Sequence, residues 1–323
     1  MKKLYFLSLL LLLFFAPGCR FYGNGDKNSQ DLRTVTDDEN RSVKIKYHPE
    51  RIISLTYGTD EILLELVDIE RVKGLSKFAG NDDLTFTTKE QRDKAGTIED
   101  QNLEQIMSLK PDLVIASSAV PKNVVETLSR MGVPVYISIV PTTWTEVETK
   151  VLGVADAVNE NKKGRMLVQH MRSERERIEK KLSVIKPEEE KVVLSLSFRG
   201  IIGKKGTLYN EILRMAHVKN GADIADLPHG SSAYISTEII PQINPDVFLT
   251  PVWRWKESDN EDEFLRELKT NPAYKDVKAV KNNKFIRLPE RYKYVVSQHV
   301  TEAVEETAKA VYPEVWLSLI HIS

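Results

Sequence analysis

Short apolar runs and stretches with apolar residues three or four apart alternate along most of this chain. Residues 52–55, 72–75, 113–116 and 133–137 read as buried strands, and 60–66, 97–109 and 124–131 as amphipathic helices. Strand and helix in alternation predict a parallel α/β lobe. The pattern resumes with strands at 192–196, 247–249 and 285–288, a helix at 208–215, and a closing amphipathic helix at 295–312 stopped by Pro313. Between the halves, residues 145–182 keep a helical period under heavy charge and predict one long, largely solvated helix. Residues 42–47 alternate as an edge strand. Residues 20–40 are polar and read as a flexible tether.

Two stretches are close to the same stretch. Asn102-Leu103-Glu104-Gln105-Ile106 leads to Leu109 and Pro111-Asp112-Leu113-Val114-Ile115; Ser236-Thr237-Glu238-Ile239-Ile240 leads to Ile243 and Pro245-Asp246-Val247-Phe248-Leu249. The spacing of 134 positions suits one copy in each of two similar lobes. Asn102 and Ser236 are N-caps that put Glu104 and Glu238 in a first helical turn, where an acid meets exposed N–H groups. Pro241 inside the second copy predicts a short or distorted helix.

The 323 residues, 41% hydrophobic and 29% charged, allow two globular domains, and a formal charge of −1 with no basic block excludes a nucleic-acid surface. Lys2 and Lys3, an apolar run at 4–15 too short to span a bilayer, and Ala16-Pro17-Gly18-Cys19 read as a signal resembling that of bacterial lipoproteins, with Cys19 as the lipidated residue. Cys19 is the single cysteine, so the body carries no disulfide or thiolate cluster.

The runs at 51–66, 102–115, 236–249 and 279–288 resemble the substrate-binding proteins of iron-complex and vitamin B12 ABC importers, over roughly residues 41–313. The resemblance implies two parallel-sheet α/β lobes joined by one long rigid helix, with the ligand in the cleft between them and little closure. Together with the signal (1–18), the tether (19–40) and a tail (314–323) read from the residues, it divides the chain into an N-terminal lobe (41–143), a linking helix region (144–186) and a C-terminal lobe (187–313). It also gives the paired acids a role: Glu104 and Glu238 would each contact arginines of an ABC permease dimer, driven by its ATPase, with the binding protein acting as a lipid-anchored extracytoplasmic monomer. Two charges on one surface fix orientation and steer encounter.

In parallel lobes, ligands meet loops at the C-terminal ends of strands. Those loops hold the aromatics Tyr57, Phe78, Phe198, Trp253, Trp255 and Tyr292, the arginines Arg199, Arg254 and Arg291, and Ser117; Trp144 reads as structural. Aromatic area with forked guanidinium donors suits a large, partly anionic ligand. A ferric siderophore is the expected ligand, with cobalamin and haem as alternatives; haem would need an axial ligand such as Tyr57 or Tyr292. His48, His170, His217, His229, His299 and His321 are scattered without metal-ligand spacing, so no protein metal site is expected. No catalytic residue is assigned either. Gly200, Gly203 and Gly206 lack the context of a phosphate loop, and no nucleophile elbow is present.

Overall fold

The computed structural model describes residues 31–227, 238–254 and 256–317. The signal, Cys19, Trp255 and the proposed cap Ser236 lie outside the described residues.

Two separate sheets carry the body. The chain enters through an antiparallel hairpin, β1 (Leu32–Thr36) with β2 (Ser42–Lys46). The first lobe follows: β3 (Ile52–Ser54), α1 (Tyr57–Leu66), β4 (Val72–Ser76), α2 (Lys89–Ala95), β5 (Thr97–Ile98), α3 (Leu103–Ser108), β6 (Leu113–Ser117), α4 (Lys122–Arg130) and β7 (Val135–Ser138). Its sheet is parallel in the order β5-β4-β3-β6-β7. Ile52, Ile53, Leu113, Val114 and Ile115 are wholly buried, and each such side chain stabilises the fold by about 1.5–3 kcal/mol.

The strand β1 replaces the distal part of the expected tether. Its hairpin turn caps the open edge of β7: Asp37 accepts from the Ile137 N–H at 3.2 Å, Asp38 from the Ile139 N–H at 2.6 Å, and Arg41 donates to the Val135 carbonyl at 3.1 Å. An edge strand left unpaired is a template for aggregation, and these bonds cover it.

Residues 145–182 are not one helix. The chain turns at Asn159, which takes the left-handed conformation at φ +59°, between α5 (Trp144–Ala157) and α6 (Asn161–Leu182). The two lie antiparallel: Gly164 sits directly against Ala155, Arg172 donates to Glu148 at 2.6 and 2.9 Å, and the Arg175 guanidinium stands 5.0 Å over the Trp144 ring. Trp144 is buried and structural, its indole N–H on Glu148 at 2.7 Å. The link between lobes is therefore α6 alone, 22 residues and about 33 Å long. Its far half grips the second lobe through a forked Arg177–Glu305 pair at 2.6 and 3.1 Å.

The second lobe comprises β8 (Val192–Ser197), β9 (Gly200–Ile201), α7 (Leu208–Met215), β10 (Lys219–Asn220), α8 (Gly221–Ile224), α9 (Ile239–Ile243), β11 (Val247–Thr250), α10 (Glu261–Thr270), α11 (Lys278–Lys281), β12 (Phe285–Arg287), α12 (Glu290–Lys293), α13 (Val300–Val311) and α14 (Pro313–Leu317). Its sheet runs β10-β8-β11-β12, all parallel, with β9 antiparallel on β8. The helix α9 carries Pro241 and lasts five residues, as the proline predicts. The closing helix begins at Val300 rather than 295, and residues 313–317 of the expected tail form α14, whose Trp316 N–H reaches Glu305 at 3.3 Å.

Candidate ligand cleft

In each sheet the strand order reverses once, at β3/β6 and at β8/β11. Such switch points open crevices at the carboxyl ends of strands. Around the first stand Tyr57 and, from the next strand, Phe78, whose rings meet edge to face at 6.2 Å. Around the second stand Phe198 and Arg199 after β8, and Trp253 and Arg254 after β11. Arg199 and Arg254 are exposed, while Tyr57, Phe78, Phe198 and Trp253 are half-buried.

The other expected cleft residues have different company. Ser117 is the buried last residue of β6, and its hydroxyl accepts from the Ala119 N–H at 3.3 Å, so it shapes a turn. Arg291 and Tyr292 join the lobes. The Arg291 N–H donates to the Asp83 carbonyl at 2.8 Å and its guanidinium to the Asp82 carbonyl at 3.2 Å. Both the Arg291 guanidinium and the Tyr292 ring lie against Phe86, at 5.3 and 5.6 Å. Phe198 packs edge-on against Phe264 at 5.3 Å.

The loop bearing Trp253 and Arg254 is held by Glu290, which accepts from the Val252 and Trp253 N–H groups at 3.2 and 2.9 Å. Glu290 is buried with Lys293, which donates to the Thr250 carbonyl at 2.7 Å. Burial raises the Glu290 carboxyl above its usual range and lowers the Lys293 ammonium to about 8, each opposed by the partner's charge.

Behind the cleft the lobes are laced together by residues 294–299, of which the sequence pattern gave 295–299 to the closing helix. The Tyr57 hydroxyl donates to the Tyr294 carbonyl at 2.9 Å, and burial keeps that phenol neutral. Gly58 packs on Val296 so tightly that a Cβ would lie 2.5 Å from its Cγ2. Glu61, buried, accepts from the Phe86 N–H at 3.0 Å and from the Ser297 hydroxyl, and its carbonyl takes the Gln298 amide at 3.0 Å. His299 stacks on Phe86 at 4.2 Å. Burial raises Glu61, an effect opposed by His299 and Lys150, and lowers Lys150 itself to about 8.

Between the lobes lies a cavity of about 430 Å³. The first lobe contributes Tyr57 and residues 140–142; the second contributes residues 201–204, 206–209 and 293–296. None of these except Tyr57 was singled out as a ligand contact from sequence. The glycines at 200, 203 and 206 were the available signal, since all three take positive φ (124°, 76° and 80°) and mark a segment shaped by its backbone. Among the described residues no group of three or more His, Cys, Asp or Glu is placed to hold a metal ion. Tyr57 could serve a haem iron only by giving up its bond to Tyr294.

Glu104 and Glu238 are both exposed. Glu104 lies in the first turn of α3, capped by Asn102 accepting from the Gln105 N–H at 3.0 Å. Glu238 is itself the residue before α9, so the second helix starts two residues later than the repeat predicts.

A family model for periplasmic binding proteins matches residues 52–292. The chain is 28% identical over 287 residues to the uncharacterized ABC transporter substrate-binding lipoprotein YvrC of Bacillus subtilis, covering 87% of this chain and 86% of that one. It is 26% identical over 293 residues to the Fe(3+)-citrate-binding protein YfmC of the same organism, covering 85% of each. The structure of the periplasmic heme-binding protein RhuT from Roseiflexus superposes with a TM-score of 0.68 at 24% identity, over 82% of this chain and 99% of RhuT. By their names all three are binding proteins and none is an enzyme. With the matched region spanning both sheets and the crevice between them, the chain belongs to the periplasmic binding protein family.

Proposed function

We propose that this protein is the extracytoplasmic solute-binding component of an ABC importer, that it captures an iron chelate of the ferric siderophore kind between its lobes, and that it delivers the chelate to a permease dimer powered by its ATPase. The observation that supports this reading is the placing of aromatic rings after strands at one switch point, Tyr57 and Phe78, and of rings with guanidinium groups at the other, Phe198, Arg199, Trp253 and Arg254. Rings supply area to a bulky chelate, and guanidinium groups supply forked donors to its oxygens. The iron-citrate binding named for YfmC supports the same class of ligand. Lipid attachment at Cys19 is part of the proposal, and it keeps the protein beside its permease.

Quenching of tryptophan fluorescence in the chain from Cys19 onward, titrated with ferric hydroxamates, ferric catecholates, ferric citrate, haem and cobalamin, tests the ligand class. Saturable quenching by an iron chelate at micromolar concentration or below is expected. Binding of haem or cobalamin alone would replace the proposed ligand with one of those.

A further inference from the structure

We infer that the ligand is an anion whose charge is read by Lys204, in the inter-lobe cavity beside β9, so that the cleft selects anionic chelates over neutral or cationic ones. This rests on the proposed chelate-binding function and names the charge class it takes.

The cavity has apolar walls, supplied by Val140 and Pro141 on one lobe and by Ile201, Leu208 and Val295 on the other. Just two charged side chains line it among the described residues, Lys204 and Lys293, and both are cationic. Lys293 is already committed: it is wholly buried, donates to the Thr250 carbonyl and pairs with Glu290. The Lys204 ammonium makes no hydrogen bond or ion pair among the described residues, and its side chain is half-buried at the cavity wall. A lone cation beside apolar walls interacts with an anion in a medium of lower effective dielectric than water, so its charge counts for more than one on an open surface.

The backbone sets where the Lys204 side chain leaves the chain. Gly203 and Gly206 flank Lys204 and Lys205 with φ of +76° and +80°. A Cβ on Gly203 would meet the Tyr209 ring at 3.0 Å and Leu213 at 3.2 Å, so Gly203 lies directly against α7. Tyr209 is in turn held by a 2.8 Å hydrogen bond to Ser195 of β8. The glycine spacing that fits no phosphate loop is explained by Gly203, whose missing side chain lets the backbone press on α7 and leaves Lys204 at the cavity. Past Thr142, Gly206 and Thr207 a second hollow of about 460 Å³ adjoins, whose wall carries the carboxylates of Glu211 and Asp223 as well as the cations Arg214 and Lys219, so Lys204 stands on the side of the cavity away from those acids' own hollow.

The test measures affinities of the mature chain and of the variants Lys204→Gln, Lys204→Glu, Lys204→Arg and Lys205→Glu. The probes are ferric citrate, a ferric tris-catecholate and a cationic ferric trihydroxamate. Lys205 is exposed and does not line the cavity, so it controls for a general change of surface charge. Expected is a loss of about ten- to a hundredfold for the anionic chelates with Lys204→Gln. The loss should be greater with Lys204→Glu, nearly reversed by Lys204→Arg and absent with Lys205→Glu. Affinity for the cationic chelate should hold or rise. Equal losses for anionic and cationic probes, or anionic affinity indifferent to Lys204, would overturn the inference while leaving the chelate-binding function standing. A wild-type chain that binds none of the three would sink both.

Discussion

Asp112 and Arg51 are joined by two hydrogen bonds, the Asp112 N–H to the Arg51 carbonyl at 3.0 Å and the Arg51 N–H to the Asp112 carboxylate at 2.8 Å. Asp246 and Val192 make the same clamp in the second lobe, at 2.8 Å in both directions. Each clamp ties the chain entering a lobe's first sheet strand to the strand beside it. A lysine sits on each carboxylate, Lys46 at 3.1 Å and Lys278 at 3.2 Å. The residues before the two prolines, Lys110 and Asn244, both take the left-handed conformation, at φ +48° and +46°. The repeated Pro-Asp is thus a folding device, stated twice.

Replacing either aspartate with alanine leaves strand-entry N–H groups without an acceptor. Asp112→Ala and Asp246→Ala should each cost about 1–3 kcal/mol in urea unfolding, with the losses close to additive in the double variant. A change below about 0.5 kcal/mol in both would contradict the shared role.

Asp60 gives the fold a pH signature. It is wholly buried and accepts from the Ser76 N–H at 3.1 Å and the Ser76 hydroxyl at 2.6 Å. Burial, partly offset by bonds to Ser54 and Ser76, raises it from 3.8 to about 7. Between about pH 4 and 7 the folded chain keeps a proton that the unfolded chain gives up. Stability from this group is therefore full below pH 4 and declines as pH rises through 7, by on the order of 4 kcal/mol. Asp60→Asn should flatten that part of the urea-midpoint profile. The same slope in wild type and variant would rule out Asp60 as its source.

Gly58 and Val296 set how closely the lobes approach. Gly58→Ala places a methyl 2.5 Å from Val296 Cγ2 and 3.1 Å from its carbonyl, and should destabilise by about 1–3 kcal/mol. Removing the obstruction in Gly58→Ala/Val296→Ala should recover roughly 1 kcal/mol relative to the sum of the single changes. Strict additivity of the two would mean that the wedge acts elsewhere.

Glu104 and Glu238 are the proposed handles for the permease. Exposed ion pairs are each worth only about 0–1 kcal/mol, but two of them orient a docking partner. Reversing both to arginine should abolish chelate uptake in cells while leaving chelate affinity in solution unchanged. Normal uptake by the double variant would remove these residues from the docking surface.

Periodicity and punctuation determined much of this protein on their own. The β-branched runs after Pro111 and Pro245 are buried strands, Pro241 keeps α9 short, and Asn102 caps α3, because strand burial, proline's missing N–H and side-chain capping act within a few residues of chain. The capping box of Thr88 and Gln91 that starts α2 was equally local and equally readable. Tertiary structure alone decided that 144–182 folds into two antiparallel helices, since the turn at Asn159 is fixed by Gly164 meeting Ala155 and by Arg172 meeting Glu148 across the pair. It alone gave residues 291–299 to the seam between lobes, through partners such as Tyr57 and Glu61 more than 230 positions away. And it alone put Lys204 on a cavity wall, because which loops face one another across a crevice depends on how two sheets are held together, and no local pattern records that.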